Sequence, residues 1–368
     1  MFSSYHPIPV WVSYGRHIYG SDGVFGFNNP SLTLQIISIT FKDLTPLFCE
    51  PPRYPTAAQR VDLVLLASNL RVLTLPGFYD AIFRLLAVEI ARLNEDTDTD
   101  HSAMWPYLST LDLGSRYPLN MSSNATLDAS WVIASAPALQ SVAMYSPDVA
   151  PKYLPDGLDS LMFTVQDKLS TGILHSRTAA ANLRSLTLNG THSTGSYNQP
   201  PAFRSMADAL LAAAPALLNL RTLNIRGFGP KNSLADATIA LVALPSLRTV
   251  HLPIVGDGDV RREAVLLTRI LNTANAGLST LGLICLTSPA LRRGPLPSFV
   301  IDVYAKSRLL ALRTISYAAR RAEDGRLYPP LISRPNVLKF KGLCIPRRVK
   351  FEVVELASNQ VWPGDAIS

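Results

Sequence analysis

The sequence predicts an α/β solenoid: short parallel strands forming a curved sheet on the concave side, with helices returning along the convex side and irregular repeats. Three observations predict it. A phrase of the form L-x-x-L-x-L recurs along the 368 residues. A helix breaker stands just before almost every copy. Many breakers are in turn preceded by a segment whose apolar residues fall at helical period.

The copies run Leu70/Leu73/Leu75, Leu108/Leu111/Leu113, Leu139/Val142/Met144, Leu158/Leu161/Phe163 and Leu183/Leu186/Leu188. They continue through Leu220/Leu223/Ile225, Leu247/Val250/Leu252, Leu278/Leu281/Leu283 and, more loosely, Leu312/Ile315/Tyr317, and Ile36/Ile39/Phe41 reads as an early copy. The breakers are Asn69, Asn182 and Asn219 or Gly157 and Gly277 directly before the first Leu, or Pro106, Pro137 and Pro245 two residues before it. Such residues stop helices. Upstream of them, Phe203, Met206, Ala207, Leu210 and Leu211 make one apolar stripe, as do Phe83, Leu86, Ala87, Ile90 and Leu93. Similar helical segments are expected near 57–68, 127–136, 233–243, 260–274 and 298–311. The Leu-x-Leu end of each phrase alternates as a short strand does.

One such unit has no opposing layer against which to bury its leucines. Stacked parallel, each unit covers the next, so the phrase must repeat; this is a leucine-rich-repeat solenoid. Steps between copies run from 19 to 38 residues, against about 20–29 in regular repeats of this kind. The Asn or Cys usual three residues after the last Leu is also missing from Phe78 to Leu286. An irregular arc with long excursions and no asparagine ladder is expected. Residues 1–30, aromatic and Gly-rich, are expected as a flexible or capping segment, 31–345 as the repeat domain and 346–368 as a tail.

Composition narrows the function classes. With 48% apolar residues the chain has a core to bury, and its longest apolar run, 209–220, is cut by Pro215, short of the roughly eighteen residues of a membrane span. The N-terminus shows neither a basic segment nor a sustained apolar one, so no signal peptide is read and a cytoplasmic or nuclear location is expected. Cys49, Cys285 and Cys344 are odd in number and far apart, which argues against disulfides or a zinc site. The sequons at Asn120, Asn124 and Asn189 are expected by chance in a chain rich in Asn, Ser and Thr.

Charge is regional. The net +7 hides a block, 291–350, with fourteen Lys or Arg against three acids, while the remainder holds 20 against 24. Such a block attracts an acidic partner or nucleic acid, or simply solvates the end of the domain.

Candidate partner-binding residues come from the variable positions of the phrase, which face out on the concave sheet or its rim. The second position is Arg in five copies: Arg71, Arg184, Arg221, Arg248 and Arg313. Stacked at sheet spacing, they make a broken guanidinium column able to clamp carboxylates or phosphates, or else solvate an edge. The third position is nearly always a hydroxyl, from Thr110 through Thr314, which suits a parallel strand and reads as structural. The fifth varies and includes Asp112, Asn224 and His251, as a recognition surface would. Asp96-Thr-Asp-Thr-Asp100 lacks the Gly and Glu of a calcium loop, and Gly256-Asp-Gly-Asp259 reads as a turn with an Asp helix cap. No catalytic constellation, metal site or cofactor site assembles, so the chain is expected not to be an enzyme and to carry no cofactor.

The A-P-A-L and L-P-S-L leads (Ala136–Leu139, Leu244–Leu247) and the phrase LRxLxL resemble the leucine-rich-repeat regions of fungal F-box proteins, over roughly residues 31–320. In that family an N-terminal F-box module docks the adaptor of a cullin ubiquitin ligase and the repeats hold the substrate. The first 60 residues lack the L-P-x-E-[IL] opening of that module, so an adaptor contact is expected only if an F-box lies upstream. The resemblance implies a non-enzymatic protein–protein interaction scaffold, like the substrate-recognition arm of these receptors, with its partner on the concave face. The alternative is binding of nucleic acid or another anionic partner through 291–350. Thin aromatic interleaving there gives stacking little support, so nucleic acid is not the expected partner.

Overall fold

The leucine phrase becomes a strand in every copy. The computed structural model describes residues 38–40, 64–75, 85–86, 88–90, 92, 104–113, 127–128, 133, 135–144, 149–150, 154–165, 177–190, 210–226, 234–255, 260–286, 298–307, 309–320 and 334–356. The expected N-terminal segment 1–30, the Asp96–Asp100 loop and the Gly256–Asp259 turn lie outside them. The chain divides into two units, Met1–Phe163 and Thr164–Ser368.

In the first unit the strands are β1 (Ser38–Thr40), β2 (Val72–Leu75), β3 (Thr110–Leu113), β4 (Leu127–Asp128), β5 (Ser141–Met144), β6 (Val149–Ala150) and β7 (Ser160–Val165). A parallel sheet runs β1-β2-β3-β5-β7, and β4 pairs with β6 apart from it. The pairing Ser38↔Val72↔Thr110↔Ser141↔Ser160 sets third positions of the phrase side by side. The early copy at Ile36 therefore belongs to the sheet. Helical residues at 64–66 and at 85–86, 88–90 and 92 fall on two expected helices, with Val64, Leu86 and Ile90 buried. The helix expected over 127–136 starts instead as β4. The copies at Leu139 and Leu158 are only 19 residues apart, too few for a full helical return, and the extended Val149–Ala150 offers its backbone to Leu127–Asp128.

The second unit holds α1 (Arg177–Asn182), β8 (Ser185–Gly190), β9 (Thr222–Arg226), α2 (Leu234–Val242), β10 (Thr249–Val255), α3 (Val260–Thr273), β11 (Thr280–Leu286), α4 (Ser298–Lys306), β12 (Thr314–Arg320), α5 (Arg334–Cys344) and β13 (Lys350–Leu356). Its strands pair in chain order, all parallel, in the register Ser185↔Thr222↔Thr249↔Thr280↔Thr314↔Lys350. Helix α2 packs on α3, α3 on α4, and α4 on α5, which also touches β13. The sheet thus runs past residue 345: β13 lies within the stretch expected as a tail. It escapes the phrase because Arg348 and Lys350 stand where a leading Leu and a hydroxyl stand elsewhere. Helix α5 was not expected either, while α1 ends at Asn182, one of the expected breakers.

The strands from β2 to β11 that carry the leucine phrase are entered through the same turn. The N–H of the first Leu donates to the carbonyl three residues back: Leu70 to Ala67, Leu108 to Trp105, Leu139 to Ala136, Leu220 to Leu217, Leu247 to Leu244 and Leu278 to Asn275, at 3.0–3.2 Å. The breakers occupy the two central places of this turn. Proline there fits because its fixed φ suits the second residue of a turn, and Gly or Asn suits the third. First, fourth and sixth positions then point into the core; Leu183, Leu186, Leu188, Leu220, Leu223 and Ile225 are all buried. Together these rungs and the helix stripes form the core, so the chain is a leucine-rich-repeat α/β fold.

Trp105 ties one rung to the helical segment before the previous one. It is fully buried and its indole Nε1 donates to the Val64 carbonyl at 3.1 Å. Trp105→Ala is expected to cost about 3–5 kcal/mol of unfolding free energy, as large aromatic truncations do. Trp105→Phe keeps most of the volume but orphans that carbonyl, and should cost less, about 1–3 kcal/mol; urea unfolding measures both.

Candidate functional site

At the second position of each phrase, side chain and backbone have separate tasks. The carbonyl accepts from two successive N–H groups of the next rung: Arg184 O from Arg221 and Thr222, Arg221 O from Arg248 and Thr249, and Arg248 O from Ser279 and Thr280, at 2.8–2.9 Å. Both lone pairs are used. This pairing makes no use of the side chain, and Arg71, Arg184, Arg221, Arg248 and Arg313 are all exposed.

The five arginines are not one column. Arg184, Arg221 and Arg248 stand at the entries to β8, β9 and β10, three successive strands. Ser279 interrupts the row before Arg313, and Arg71 belongs to the first unit. Arg248 also folds back, its Nη1 donating to the Pro245 and Leu247 carbonyls at 3.1 Å each. Asn275 Nδ2 donates to the same two carbonyls at 2.6 and 3.1 Å, and a side chain on Gly277 would collide with the Arg248 guanidinium. Asn219 Nδ2 likewise reaches Ala181 O in the preceding turn, at 2.7 Å. Asparagines do tie neighbouring turns, then, but at the strand entry rather than three residues past the last Leu. The breaker position supplies Asn219, and the helix end supplies Asn275.

The fifth positions turn inward on one another. Thr187, Asn224, His251, Gly282, Ser316 and Glu352 are successive partners across the second unit's sheet. Asn224 Nδ2 donates to Thr187 Oγ1 at 3.0 Å, which leaves its Oδ1 to accept from His251 Nδ1 at 2.7 Å. The imidazole lies over Gly282, where an added Cβ would enter the ring. Thr187, His251 and Ser316 are consequently buried. Asn224 and His251 form a hydrogen-bonded strip along the sheet, whereas Asp112 sits half-buried on β3 in the other unit.

Part of the basic block is spent on structure. Arg347 caps α4: Nη1 donates to Tyr304 O and Ser307 O at 2.9 and 3.3 Å, and Nη2 to Ala305 O at 2.6 Å. These carbonyls lie at the C-terminal end of the helix, where intrahelical donors run out, and Tyr304 O also accepts from the Ser307 N–H and Oγ. The guanidinium carbon also stands 4.8 Å from the Tyr304 ring centroid. Lys339 pairs with Asp302 at 3.7 Å and Lys350 with Glu352 at 2.6 Å. Phe340 packs between Tyr304 and Phe351, with ring centroids 5.1 and 4.9 Å apart. Burial pushes the Tyr304 phenol up to about 12 and also raises the nearby Cys344 thiol. Helix α5 ends at Cys344 and is followed by a turn in which Arg348 takes φ 55°, in the left-handed region, and the Val349 N–H donates to Cys344 O at 3.0 Å. Sequence reasoning had no signal for this cap, because Arg347 and α4 are some 40 residues apart.

No protein-family model matches the chain, and no curated protein matches it. Among solved structures it is similar to the leucine-rich-repeat-containing protein LegL7 from Legionella pneumophila, with a TM-score of 0.45 and 15% identity, over 90% of this chain and 87% of that one. No helix among the described residues is long and apolar enough to cross a membrane.

Two outcomes are expected. Gly282→Ala should destabilise by about 1–3 kcal/mol through overpacking against the imidazole. His251→Ala made in the same chain should recover part of that loss, and a double-mutant cycle by urea unfolding reads the coupling. For Tyr304 the neutral phenol is favoured in the folded state, so its contribution is fully present below pH 10, the ordinary value, and is lost as pH rises through about 12. Stability measured across that window should fall more steeply in the wild type than in Tyr304→Phe.

Proposed function

We propose that the chain is a non-enzymatic protein-interaction scaffold whose binding surface is the strand-entry rim of the second unit. One observation carries this reading. Three successive strands each present an exposed arginine, Arg184, Arg221 and Arg248, from a backbone position locked by two hydrogen bonds. A row of exposed arginines on a held backbone suits recognition, because the backbone order is already in place before binding. Of the remaining candidates, Arg313 extends this row one rung beyond Ser279. Asn224 and His251 act behind it as a strip that stiffens the sheet. Arg71 and Asp112 belong to a separate surface on the first unit.

The resemblance to F-box repeat proteins supports a narrower form, in which this rim holds the substrate of a ubiquitin ligase. Co-purification of a cullin-ligase adaptor with the chain tests that form. The scaffold reading is tested by cross-linking and affinity capture from cells with the full chain. A reproducible set of proteins is expected on the wild type and on Arg261→Glu/Arg269→Glu, which reverses two exposed charges of α3. That set should be depleted at least about tenfold on Arg184→Glu/Arg221→Glu, the scale of losing one or two charge-assisted contacts. Equal capture by all three proteins, or no reproducible capture, would overturn it.

A further inference from the structure

The two units differ in what their strand entries carry. In the first, the turn pairs and second positions of the four entries before β2, β3, β5 and β7 hold one Arg against two acids, Asp156 and Asp159. In the second, the same places before β8 to β12 hold four Arg and no acid. Strands in a sheet lie about 4.8 Å apart, so the row from Arg184 to Arg313, four steps long, spans roughly 19 Å. An extended peptide of about six residues covers that length.

Apolar side chains stand on the same rim. Leu218 is 55% exposed and Leu310 is 94% exposed. Each sits in the turn three residues before the arginine of its own entry, Arg221 or Arg313. An exposed leucine three residues before an exposed arginine gives the turn two chemistries at once, and this spacing occurs at two of the five entries. No aromatic residue occupies a turn pair or second position in this unit. Nucleic acid would match the cations, but it has no aliphatic group to cover the leucines, and these entry positions offer no ring on which a base could stack.

We propose that the strand-entry rim of the Thr164–Ser368 unit docks an acidic peptide segment that also carries aliphatic side chains, laid across the strands. Its carboxylates meet Arg184, Arg221 and Arg313, and its aliphatic groups cover Leu218 and Leu310. Arg248 contributes less, since its Nη1 already holds two carbonyls of its own turn. This inference rests on the scaffold reading above and names the chemistry of its partner.

The test is fluorescence anisotropy with the full chain and four labelled probes: an alternating Glu-Leu octapeptide, a Glu-Ser octapeptide, a Lys-Leu octapeptide and a single-stranded oligonucleotide. The Glu-Leu peptide should bind most tightly, and its affinity should fall as salt rises. Arg184→Glu/Arg221→Glu/Arg313→Glu should weaken it at least about tenfold, while the thermal midpoint stays near that of the wild type. Arg248 is left in place because it supports a turn. Leu218→Ser/Leu310→Ser should weaken the Glu-Leu peptide about tenfold and leave Glu-Ser binding unchanged, since burying a leucine is worth about that much or more. Equal binding of Glu-Leu and Glu-Ser, tighter binding of the oligonucleotide, or a triple variant that binds like wild type would overturn the proposal. Cellular capture lost on the charge reversals with no Glu-Leu binding would overturn this inference and leave the scaffold standing. Peptide binding with no cellular capture would do the reverse.

Discussion

A carbonyl with two donors is the constraint on which the rest of the second unit depends. At the entry to each strand one backbone oxygen accepts from two consecutive N–H groups of the next rung, in the runs Arg184, Arg221, Arg248 and Ser279. Two bonds converging on one oxygen fix where the next chain segment lies and how it is rotated about its own axis. A one-residue slip would turn every leucine out of the core. In the first unit the same arrangement joins Arg71, Ser109 and Gln140 to their successors. It depends on backbone geometry alone, so the side chain at that position can be anything tolerated in water. A rung can therefore begin with Ser, Gln, Asp or Arg without changing the fold.

That separation explains why the loop lengths can vary so widely. In regular repeats an asparagine ladder beyond the strand holds successive turns together, and here it is missing. Its work is done at the strand entry, by the shared carbonyl and by Asn219 and Asn275, which donate to turn carbonyls of the preceding rung. Once the entry is held, the path from strand to helix is free to lengthen, and the 37-residue step from Leu183 to Leu220 costs little more loop entropy than a short one. The short step from Leu139 to Leu158 shows the other limit. With no room for a helix, its return path pairs β4 with β6.

The variable positions then separate into two kinds of surface. Second-position side chains project at the rim, while fifth-position side chains lie along the sheet and bond to one another from Thr187 through Asn224 to His251. The imidazole can lie flat because Gly282 is opposite it. Further along, the basic end of the chain divides in the same manner: Arg347 is consumed by the carbonyls of α4, while Arg313 stays exposed. Charge counted along the sequence thus overstates the charge presented to a partner.

The repeat, the parallel strands and the inward leucines were legible in the sequence because each rests on a short-range pattern. Apolar spacing and a breaker within a few residues are enough to specify strand, turn and burial, and repetition removes the ambiguity of any single copy. Arginine at the second position was legible for the same reason. What only the tertiary structure decided is which polar residues face a partner and which face each other, because that depends on a neighbour one rung away. His251 meets Gly282 across 31 residues, and Arg347 meets α4 across about 40. The last strand among the described residues, β13, escaped because its place in the sheet comes from pairing with β12 and not from a leucine phrase of its own.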